Sequence, residues 1–319
     1  MSQLPPYASE ALDGILSAFE GRQLKQASQD LSQRYRSKVP TRHLGASGSI
    51  AAYLAARLPA TYAVNLAVLS EVARLAPDFA PISLLDLGAG PGTASLAAAQ
   101  VFASLNQINL FEREADMIAA GQALLRQGPP LLAQANWLKS SLPPESLPAA
   151  DLILVSYVLN ELPPLARVRL GELLLEQSAT LVLIEPGTPE GYAHLLALRQ
   201  QALAAGWQIW APCPHQDACP LAENDWCHFS RRLARSSLQR YLKQGSQSFE
   251  DEKYSYMVLA RSPVQTVPAR ILRHPRIRKG LVELSLCGPS GLQSRIVPRS
   301  DPAYRSARKA DWGEAWPKE

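Results

Sequence analysis

Short apolar runs alternate with helix-like segments through the middle of the chain, and this alternation constrains the fold most. Each run has the continuous apolar character of a strand that is buried on both faces, and a segment of helical periodicity separates it from the next. The runs are ISLLDLG, INLFERE, DLILVSYVL and LVLIEP. A parallel sheet covered by helices on both faces buries such strands. We therefore predict an α/β domain with a parallel sheet over residues 79–262.

The segments on either side of this domain have different patterns. In residues 1–78 an amphipathic pattern begins at Leu12, and a longer run, SIAAYLAARLPATYAVNLAVLSEVARLA, predicts helix that breaks at Pro59. After Pro263 the short apolar pieces LVELSLC and LQSRIVP, separated by Gly-Pro-Ser-Gly, are typical of strands. We predict an N-terminal helical cap and a small C-terminal β unit over residues 263–319.

Positive charge is concentrated in the C-terminal segment. The chain has a formal net charge of +4, and residues 268–319 hold eleven Lys and Arg against five Asp and Glu, beginning with Arg270. Such a density fits contact with a phosphate backbone. A basic face that meets only solvent is the alternative, and the charge pattern alone does not decide between the two.

Length and composition favour a folded protein outside membranes. With 319 residues and 47% hydrophobic content, the chain can bury a large core. It has no uncharged apolar stretch of about 18 residues, and its N-terminus has neither a basic region nor an apolar signal segment. We therefore expect a cytoplasmic protein with no membrane partner, whose cysteines stay reduced.

A glycine-rich turn follows the first predicted strand. The segment LLDLGAGPGTASLAA brings four residues to the point where the strand ends and its helix begins: Asp86, Gly88, Gly90 and Gly92. Open parallel sheets bind ligands at this position. No Lys-Ser/Thr pair follows, which disfavours a triphosphate site. The closeness of Asp86 to the glycines, and Glu112 at the end of the next strand as an acceptor for both ribose hydroxyls, favour S-adenosylmethionine over a dinucleotide.

Residues after the third-strand region and at the end of the fourth strand are predicted to complete this pocket. Asn136 is expected to contact adenine, whereas its neighbour Trp137 fits an adenine contact and a core position equally well. Ser156 is expected at the cofactor, and with Tyr157 and Asn160 of SYVLNELPP it closes the fourth strand, where a methyl acceptor would approach. The order Asn-Glu-Leu-Pro-Pro differs from the Asn/Asp-Pro-Pro-aromatic order of many amino-methyltransferases. The acceptor atom and the catalytic residues therefore stay unassigned.

The four cysteines have a spacing that suits a metal centre. Three lie close together in the loop 211–229, namely Cys213, Cys219 and Cys227, and Cys287 lies far downstream. The alternative, that they serve only as small buried apolar groups, fits scattered cysteines better than clustered ones. Four thiolates suit zinc or an iron–sulfur cluster, and His215 and His228 beside the loop are possible substitute zinc ligands. The spacing leaves the choice of metal open.

Long segments of the chain resemble a family of methyltransferase-like proteins of the mitochondrial small ribosomal subunit and their bacterial relatives. The resemblance covers most of the chain. Its segments are LDLGAGPGT, SYVLNELP, LIEPGTPEGY, APCPH, CPL, WCHFSRR, EDEKYSYMVLAR, LCGPSG and YRSARKADWGEAW. It implies a class I S-adenosylmethionine-dependent methyltransferase fold, which is Rossmann-like, and the glycine motif of the family is intact here.

The same resemblance implies a [4Fe-4S] cluster and work on the small ribosomal subunit or its assembly. The cluster ligands of the family map onto Cys213, Cys219, Cys227 and Cys287. We expect the cluster to connect the basic C-terminal segment, residues 263–319 and hereafter the tail, to the α/β domain. Two functions follow from the resemblance: a methyltransferase acting on ribosomal RNA, or a non-catalytic assembly factor that binds this RNA with a retained methyltransferase fold. Neither function involves DNA.

Overall fold

The computed structural model describes residues 4–36, 47–243 and 247–317. The α-helices in these ranges are α1 (Pro6–Ser17), α2 (Gly21–Arg36), α3 (Ser47–Leu75), α4 (Thr93–Val101), α5 (Ala115–Leu125), α6 (Pro130–Ala133), α7 (Pro164–Leu175), α8 (Pro189–Ala204), α9 (Ser237–Lys243) and α10 (Tyr304–Ala307). The strands are β1 (Ser83–Leu87), β2 (Gln107–Glu112), β3 (Asn136–Lys139), β4 (Leu152–Ser156), β5 (Thr180–Pro186), β6 (Gln208–Ala211), β7 (Phe229–Ala234), β8 (Phe249–Ala260), β9 (Arg270–Ile271), β10 (Arg276–Arg278), β11 (Leu281–Gly288) and β12 (Gly291–Pro298). A 3-10 turn at Leu159–Glu161 follows β4.

The larger sheet has the strand order β3-β2-β1-β4-β5-β8-β6, and β7 pairs with the first half of β8. The strands from β3 to β5 are parallel to their neighbours, whereas β8 is antiparallel to β5, β6 and β7. One antiparallel strand between the fifth and last positions is the arrangement of class I methyltransferases, so the predicted fold is confirmed. The direction of strand progression reverses between β1 and β4, and ligands bind at the carboxyl ends of strands beside such a reversal.

Two apolar cores cover the two faces of this sheet. Leu84 of β1 packs in the core that contains α3 and α4, whereas Leu85 and Leu87 pack in the core that contains α7 and α8. Successive side chains of a strand point to opposite faces, so a strand buried on both faces needs apolar residues at nearly every position. The continuous apolar runs in the sequence predicted this arrangement correctly.

Helix α3 runs without interruption past Pro59, so the predicted break at this residue is wrong. A proline inside a helix leaves the carbonyl of the residue four positions earlier without its usual N–H donor. Here that carbonyl belongs to Ala55, and the buried side chain of Gln239 donates a hydrogen bond to it from Nε2 at 3.3 Å. A residue distant in sequence therefore replaces the missing donor and helps the helix to continue.

The chain between α8 and the cysteine loop forms a strand that we did not predict. Strand β6 lies between them and pairs with β8. Trp207 and Ile209 pack in one core and Trp210 in the other, which is the alternation of a strand. Part of the predicted N-terminal helical cap, residues 1–3 and 37–46, lies outside the described residues. In the ranges that are described, no helix is long and apolar enough to cross a membrane.

The C-terminal segment forms a second sheet with a small core of its own. Strands β10, β11 and β12 are antiparallel neighbours, and β9 pairs with the end of β11. Leu284 and Leu286 of β11 are buried in this core with Val297 and Trp316. Because alternate residues of a strand face opposite sides, Cys287 faces away from this core. The hairpin thus presents the fourth cysteine on the face opposite its own packing.

Candidate functional site

The glycine-rich turn connects β1 to α4 through left-handed backbone. Gly88, Gly90 and Gly92 have φ angles of 70°, 55° and 78°. A Cβ at Gly88 would lie 2.6 Å from Cγ2 of Val158, so this position has no room for a side chain. A Cβ at Gly90 would meet no heavy atom within 4 Å. The turn therefore leaves open space at Gly90, where a ligand can approach the backbone closely.

The carboxylate of Glu112 lies directly against this turn. The Gly90 N–H donates to its Oε2 at 2.9 Å, and the N–H groups of Arg113 and Glu114 donate to its Oε1 at 2.8 and 2.9 Å. An ionised carboxylate has about four acceptor positions, so these three bonds leave room for a further donor. Glu112 is therefore fixed at the carboxyl end of β2, in a position where it can accept a hydrogen bond from a hydroxyl group.

Asp86 is turned away from solvent and holds the start of α4. Only 1% of its surface is exposed, and its Oδ2 accepts hydrogen bonds from Ser95 N at 3.1 Å and Ser95 Oγ at 2.7 Å. Burial raises the pKa of this carboxyl group to about 6, and the two bonds from Ser95 oppose the rise. In this structure Asp86 organises the helix that follows the glycine turn.

Asn136 does not join the other predicted cofactor residues. It pairs in register with Asn109 and donates to its Oδ1 at 2.9 Å. Asn109 precedes Glu112 by three residues, which places Asn136 roughly 10 Å from the carboxyl edge of the sheet. Its neighbour Trp137 packs against Gly121 and the rest of the core. Lys139 pairs with Glu112 instead, so the residues at the pocket edge of β3 come later than the sequence suggested.

The end of β4 carries a strained residue with a buried hydroxyl group. Tyr157 has a φ angle of 61°, which is rare for a residue with a large side chain. Its buried hydroxyl has no hydrogen-bond partner, and burial raises its pKa well above the usual value. Strain of this kind persists only where the surroundings enforce it, and it often marks a functional site. The preceding Ser156 Oγ accepts a hydrogen bond from Asn65 Nδ2 at 3.0 Å.

Glu185, at the end of β5, fixes the turn after Tyr157. Its fully buried carboxylate accepts hydrogen bonds from three consecutive backbone N–H groups, those of Val158, Leu159 and Asn160. Burial raises the pKa of Glu185 to about 8, and the three backbone bonds oppose the rise. The side-chain Oδ1 of Asn160 is buried without a partner. Three hydrogen bonds to Glu185 therefore hold the backbone of this loop, whereas the side-chain oxygens of Tyr157 and Asn160 are buried without a hydrogen-bond partner.

Helix α3 supplies further polar residues that the sequence analysis missed. Tyr53, Arg57 and Asn65 recur at multiples of four positions in an otherwise apolar helix, which was the available signal. Arg57 pairs with Glu252 through two hydrogen bonds of 2.8 and 3.1 Å and lies 5.7 Å from the centre of the Tyr157 ring. Burial raises the pKa of Tyr53 to about 12. Asn65 Oδ1 is buried without a partner.

All four cysteines line one cavity of about 40 Å³. Cys213, Cys219 and Cys227 come from the loop between β6 and β7, and Cys287 comes from β11. This volume is large enough for about three water molecules. Burial raises the pKa of the Cys287 thiol to about 12, and the charges of Cys213 and Cys219 add to the rise. The structure therefore brings together the four cysteines that the sequence analysis selected.

In the described ranges the thiols do not form a ready-made site for a single metal ion. Sulfurs bound to a single zinc lie roughly 4 Å apart, because each Zn–S bond is about 2.3 Å. Among the residues that the structure describes, no group of three or more His, Cys, Asp or Glu side chains is close enough to hold a metal ion. His215 Nε2 lies 3.5 Å from Cys287 Sγ, whereas His228 is stacked on Trp226.

Polar side chains surround the thiols on several sides. The Tyr192 hydroxyl lies 3.1 Å from Cys219 Sγ. Burial raises the pKa of the Cys213 thiol, and the positive charge of the nearby Arg199 guanidinium opposes this rise. Arg270 also lines the cavity. It is 3% exposed and pairs with Glu71 of α3 at 2.8 Å, so it does not belong to the exposed basic surface of the tail.

Solved methyltransferases align with this chain at low identity. The magnesium protoporphyrin IX methyltransferase of Synechocystis, solved with bound S-adenosylmethionine, is 12% identical with a TM-score of 0.41, over 74% of this chain and 97% of that one. The ribosomal protein L11 methylase of Lactobacillus delbrueckii is 13% identical with a TM-score of 0.36, over 62% and 78%. Similarity at this level does not bear on ligand or substrate.

Named relatives are mitochondrial ribosome assembly proteins. Human METTL17 is 28% identical over 291 residues, which cover 83% of this chain and 62% of that protein. RSM22 of Saccharomyces cerevisiae is 25% identical over 178 residues, which cover 34% of this chain and 28% of that protein. The chain thus spans less than two-thirds of the length of these relatives. Because both are mitochondrial, the cytoplasmic location predicted from the sequence is wrong.

A family model described as mitochondrial small ribosomal subunit Rsm22 matches residues 47–317. The match includes α3, both sheets, the glycine turn and the four cysteines. It confirms the resemblance that the sequence motifs indicated. The chain belongs to the Rsm22 family of the mitochondrial small ribosomal subunit.

Proposed function

We propose that this protein is a factor of small ribosomal subunit assembly that binds S-adenosylmethionine, holds a [4Fe-4S] cluster and contacts ribosomal RNA. The observation that carries the proposal is the open backbone at Gly90 beside the fixed carboxylate of Glu112. This pair lies at the carboxyl ends of β1 and β2, where sheets of this type bind ligands. Family membership and the names of the relatives support the ribosomal part of the proposal.

Residues of the glycine turn, β2 and α3 would hold S-adenosylmethionine. The backbone at Gly88 and Gly90 would lie against the ligand, and the Glu112 carboxylate would accept hydrogen bonds from the ribose hydroxyl groups of the ligand. Asn65 Nδ2 donates to Thr61 O and Ser156 Oγ, so the unpartnered Oδ1 is an acceptor in need of a donor such as an ammonium group. When bound, S-adenosylmethionine supplies an activated methyl group. Asp86 would act indirectly, by holding α4 in position through Ser95.

Calorimetric titration of the full chain with S-adenosylmethionine tests this site. We expect Gly90→Arg to weaken binding at least tenfold, because the new side chain fills the open space. Gly206→Arg is the matched control: Gly206 also has a positive φ and open surroundings, but it lies at the amino end of β6. Equal affinity for both variants, or no binding by the wild-type protein, would contradict the proposal.

Four thiols around one shared cavity support the cluster. The residues that would hold it are Cys213, Cys219, Cys227 and Cys287, and the choice of a cluster over a single zinc rests on the family resemblance. When bound, the cluster supplies a cross-link between the loop and the tail. After anaerobic purification we expect roughly four irons and four sulfides per chain, with absorption near ~400 nm. One zinc per chain and no colour would overturn the cluster.

Exposed basic side chains of the tail support contact with RNA. They include Arg276, Arg299, Arg305 and Arg308, all exposed to solvent. Replacing Arg305 and Arg308 by Gln should weaken binding to small-subunit ribosomal RNA and lower its salt dependence by about one ion per lost phosphate contact. Arg126→Gln, at an exposed position outside the tail, is the control. Unchanged affinity in the double variant would exclude this surface as the RNA contact.

Methyl transfer to RNA is the second candidate function. The strained backbone of Tyr157 and the unpartnered Tyr157 hydroxyl favour it, because both lie at the end of β4, where an acceptor approaches. The test incubates the protein with small-subunit RNA and methyl-labelled S-adenosylmethionine. Label in RNA with the wild-type protein, lost in Gly90→Arg, supports an enzyme. RNA binding without label supports the non-catalytic assembly factor.

A further inference from the structure

Two buried arginines line the four-cysteine cavity. Arg199 of α8 and Arg270 of β9 are each only 3% exposed. A charged group far from water is costly unless it is paired and hydrogen-bonded. Each of these guanidinium groups therefore needs a partner that offsets its burial.

Arg270 has its partners within the chain. Its guanidinium pairs with Glu71 at 2.8 Å, donates from Nη1 to Gly313 O at 2.9 Å and donates from Nε to Pro212 O at 3.1 Å. The carboxylate of Glu71, which also pairs with Arg74, offsets its positive charge, and the two carbonyls accept from Nη1 and Nε. Arg270 is thus a structural connection between α3, the cysteine loop and the tail.

Arg199 lacks such a counter-charge. It donates from Nη2 to Asp217 O at 2.6 Å, but it forms no ion pair within the described ranges, and its buried Nε has no partner. Arg199 and the thiols line the same cavity, and the positive charge of Arg199 opposes the rise that burial causes in the pKa of Cys213. A buried, unmatched cation at this position points to an anionic occupant.

We propose that Arg199 is the buried counter-charge of the four-thiolate centre and, with the Tyr192 hydroxyl at Cys219, raises its reduction potential. The inference rests on the proposed cluster. Four thiolates make a [4Fe-4S] group anionic, and reduction adds one more negative charge. A fixed cation in a low-dielectric interior stabilises the more negative state most. Net charge and hydrogen bonds to the sulfurs are the means by which proteins tune these potentials.

The test compares reduction potentials of full-length, anaerobically purified variants by spectroelectrochemistry, with iron and sulfide measured on the same samples. We expect Arg199→Gln to have a more negative potential than the wild-type protein and to lose iron faster to a chelator. Arg199→Lys keeps the charge and should lie between the two. Arg261→Gln is the control: Arg261 also donates to carbonyl oxygens, but it is exposed to solvent over the buried Trp207 ring, and neither of these two residues lines the cavity.

A fully loaded Arg199→Gln protein with the wild-type potential would overturn the inference. If Arg199→Gln does not load while Arg199→Lys does, the need for charge is supported directly. Tyr192→Phe removes one hydroxyl and no charge, and an unmoved potential in this variant would remove Tyr192 from the proposal. Wild-type protein without iron and sulfide would instead overturn the cluster itself, which separates the two failures.

Discussion

The glycine turn draws on one continuous stretch of chain, whereas the four-cysteine cavity draws on segments that lie far apart in sequence. The turn joins β1 to α4, and its nearest side-chain acceptor, Glu112, ends the very next strand. The cavity needs the loop before β7, the hairpin of β11 and β12, and α8. Backbone geometry therefore determines the glycine turn, which is the local site. Tertiary contacts hold the four-cysteine cavity together, and a single distant substitution can break them.

The largest effect is expected from Cys287→Ser, which removes the ligand that connects the tail to the loop. A bound metal centre contributes on the order of 10 kcal/mol to a fold that depends on it. We expect loss of most iron and sulfide and rapid proteolysis after residue 263, while S-adenosylmethionine binding is less affected. Ser285→Ala, on the same strand and face, is the control. Unchanged iron content and proteolysis would show that Cys287 is not part of the centre.

The next largest effect is expected from Arg270→Met. It leaves Glu71 without its buried partner and frees the carbonyls of Pro212 and Gly313. Breaking a buried ion pair costs about 3–5 kcal/mol. Urea unfolding should show this loss in the free energy of unfolding. The double variant Arg270→Met, Glu71→Gln should lose less than the sum of the losses in the two single variants. Strict additivity would mean that the pair contributes no coupling between α3 and the tail.

A pH effect is expected at Asp86 beside the local site. Burial raises its pKa in the folded protein to about 6 from its usual value of 3.8, so the folded protein binds more protons than the unfolded chain in this interval. Stability should therefore fall as pH rises from about 4 to 6, by roughly 3 kcal/mol in total. Asp86→Asn keeps an acceptor for Ser95 and should remove this part of the pH dependence. An identical pH profile in the variant would contradict the prediction.

The smallest effect separates two glycines of the same turn. Gly88→Ala combines left-handed backbone with a contact of 2.6 Å to Val158, whereas Gly90→Ala has only the backbone strain. Such strain costs about 1–3 kcal/mol, so both should lower the melting temperature, Gly88→Ala more than Gly90→Ala. Gly90→Ala should nevertheless weaken S-adenosylmethionine binding, although it lowers the melting temperature less than Gly88→Ala does. Equal melting temperatures would mean that Val158 yields without cost.

The sequence predicted what short stretches of chain determine. The strands, the glycine turn and the position of Glu112 follow from apolar runs and from residues within a few positions of each other. The continuity of α3 could not be read in this way, because the donor that compensates for Pro59 is Gln239, far downstream. Local propensity described the proline correctly, but a tertiary contact determined the outcome.

The errors at the candidate site have the same origin. Asn136 was expected at the pocket because it was placed after the third strand, but the register with Asn109 shows that it begins this strand. Asn65 was missed because nothing local shows that α3 passes beside Ser156. The four cysteines were selected by spacing and by family resemblance, whereas the charge of Arg199 beside them becomes visible only in three dimensions.

The position of Cys287 on β11 also sets an order of events during biosynthesis. The residues of the glycine turn, Asp86 to Glu112, leave the ribosome early and can fold while translation continues. The cavity cannot close until the hairpin of β11 and β12 has been made and has docked on the loop. Any centre that needs all four thiols is therefore completed late in synthesis. A nascent chain stalled before this hairpin would contain a formed glycine turn, but its cysteine cavity would lack Cys287.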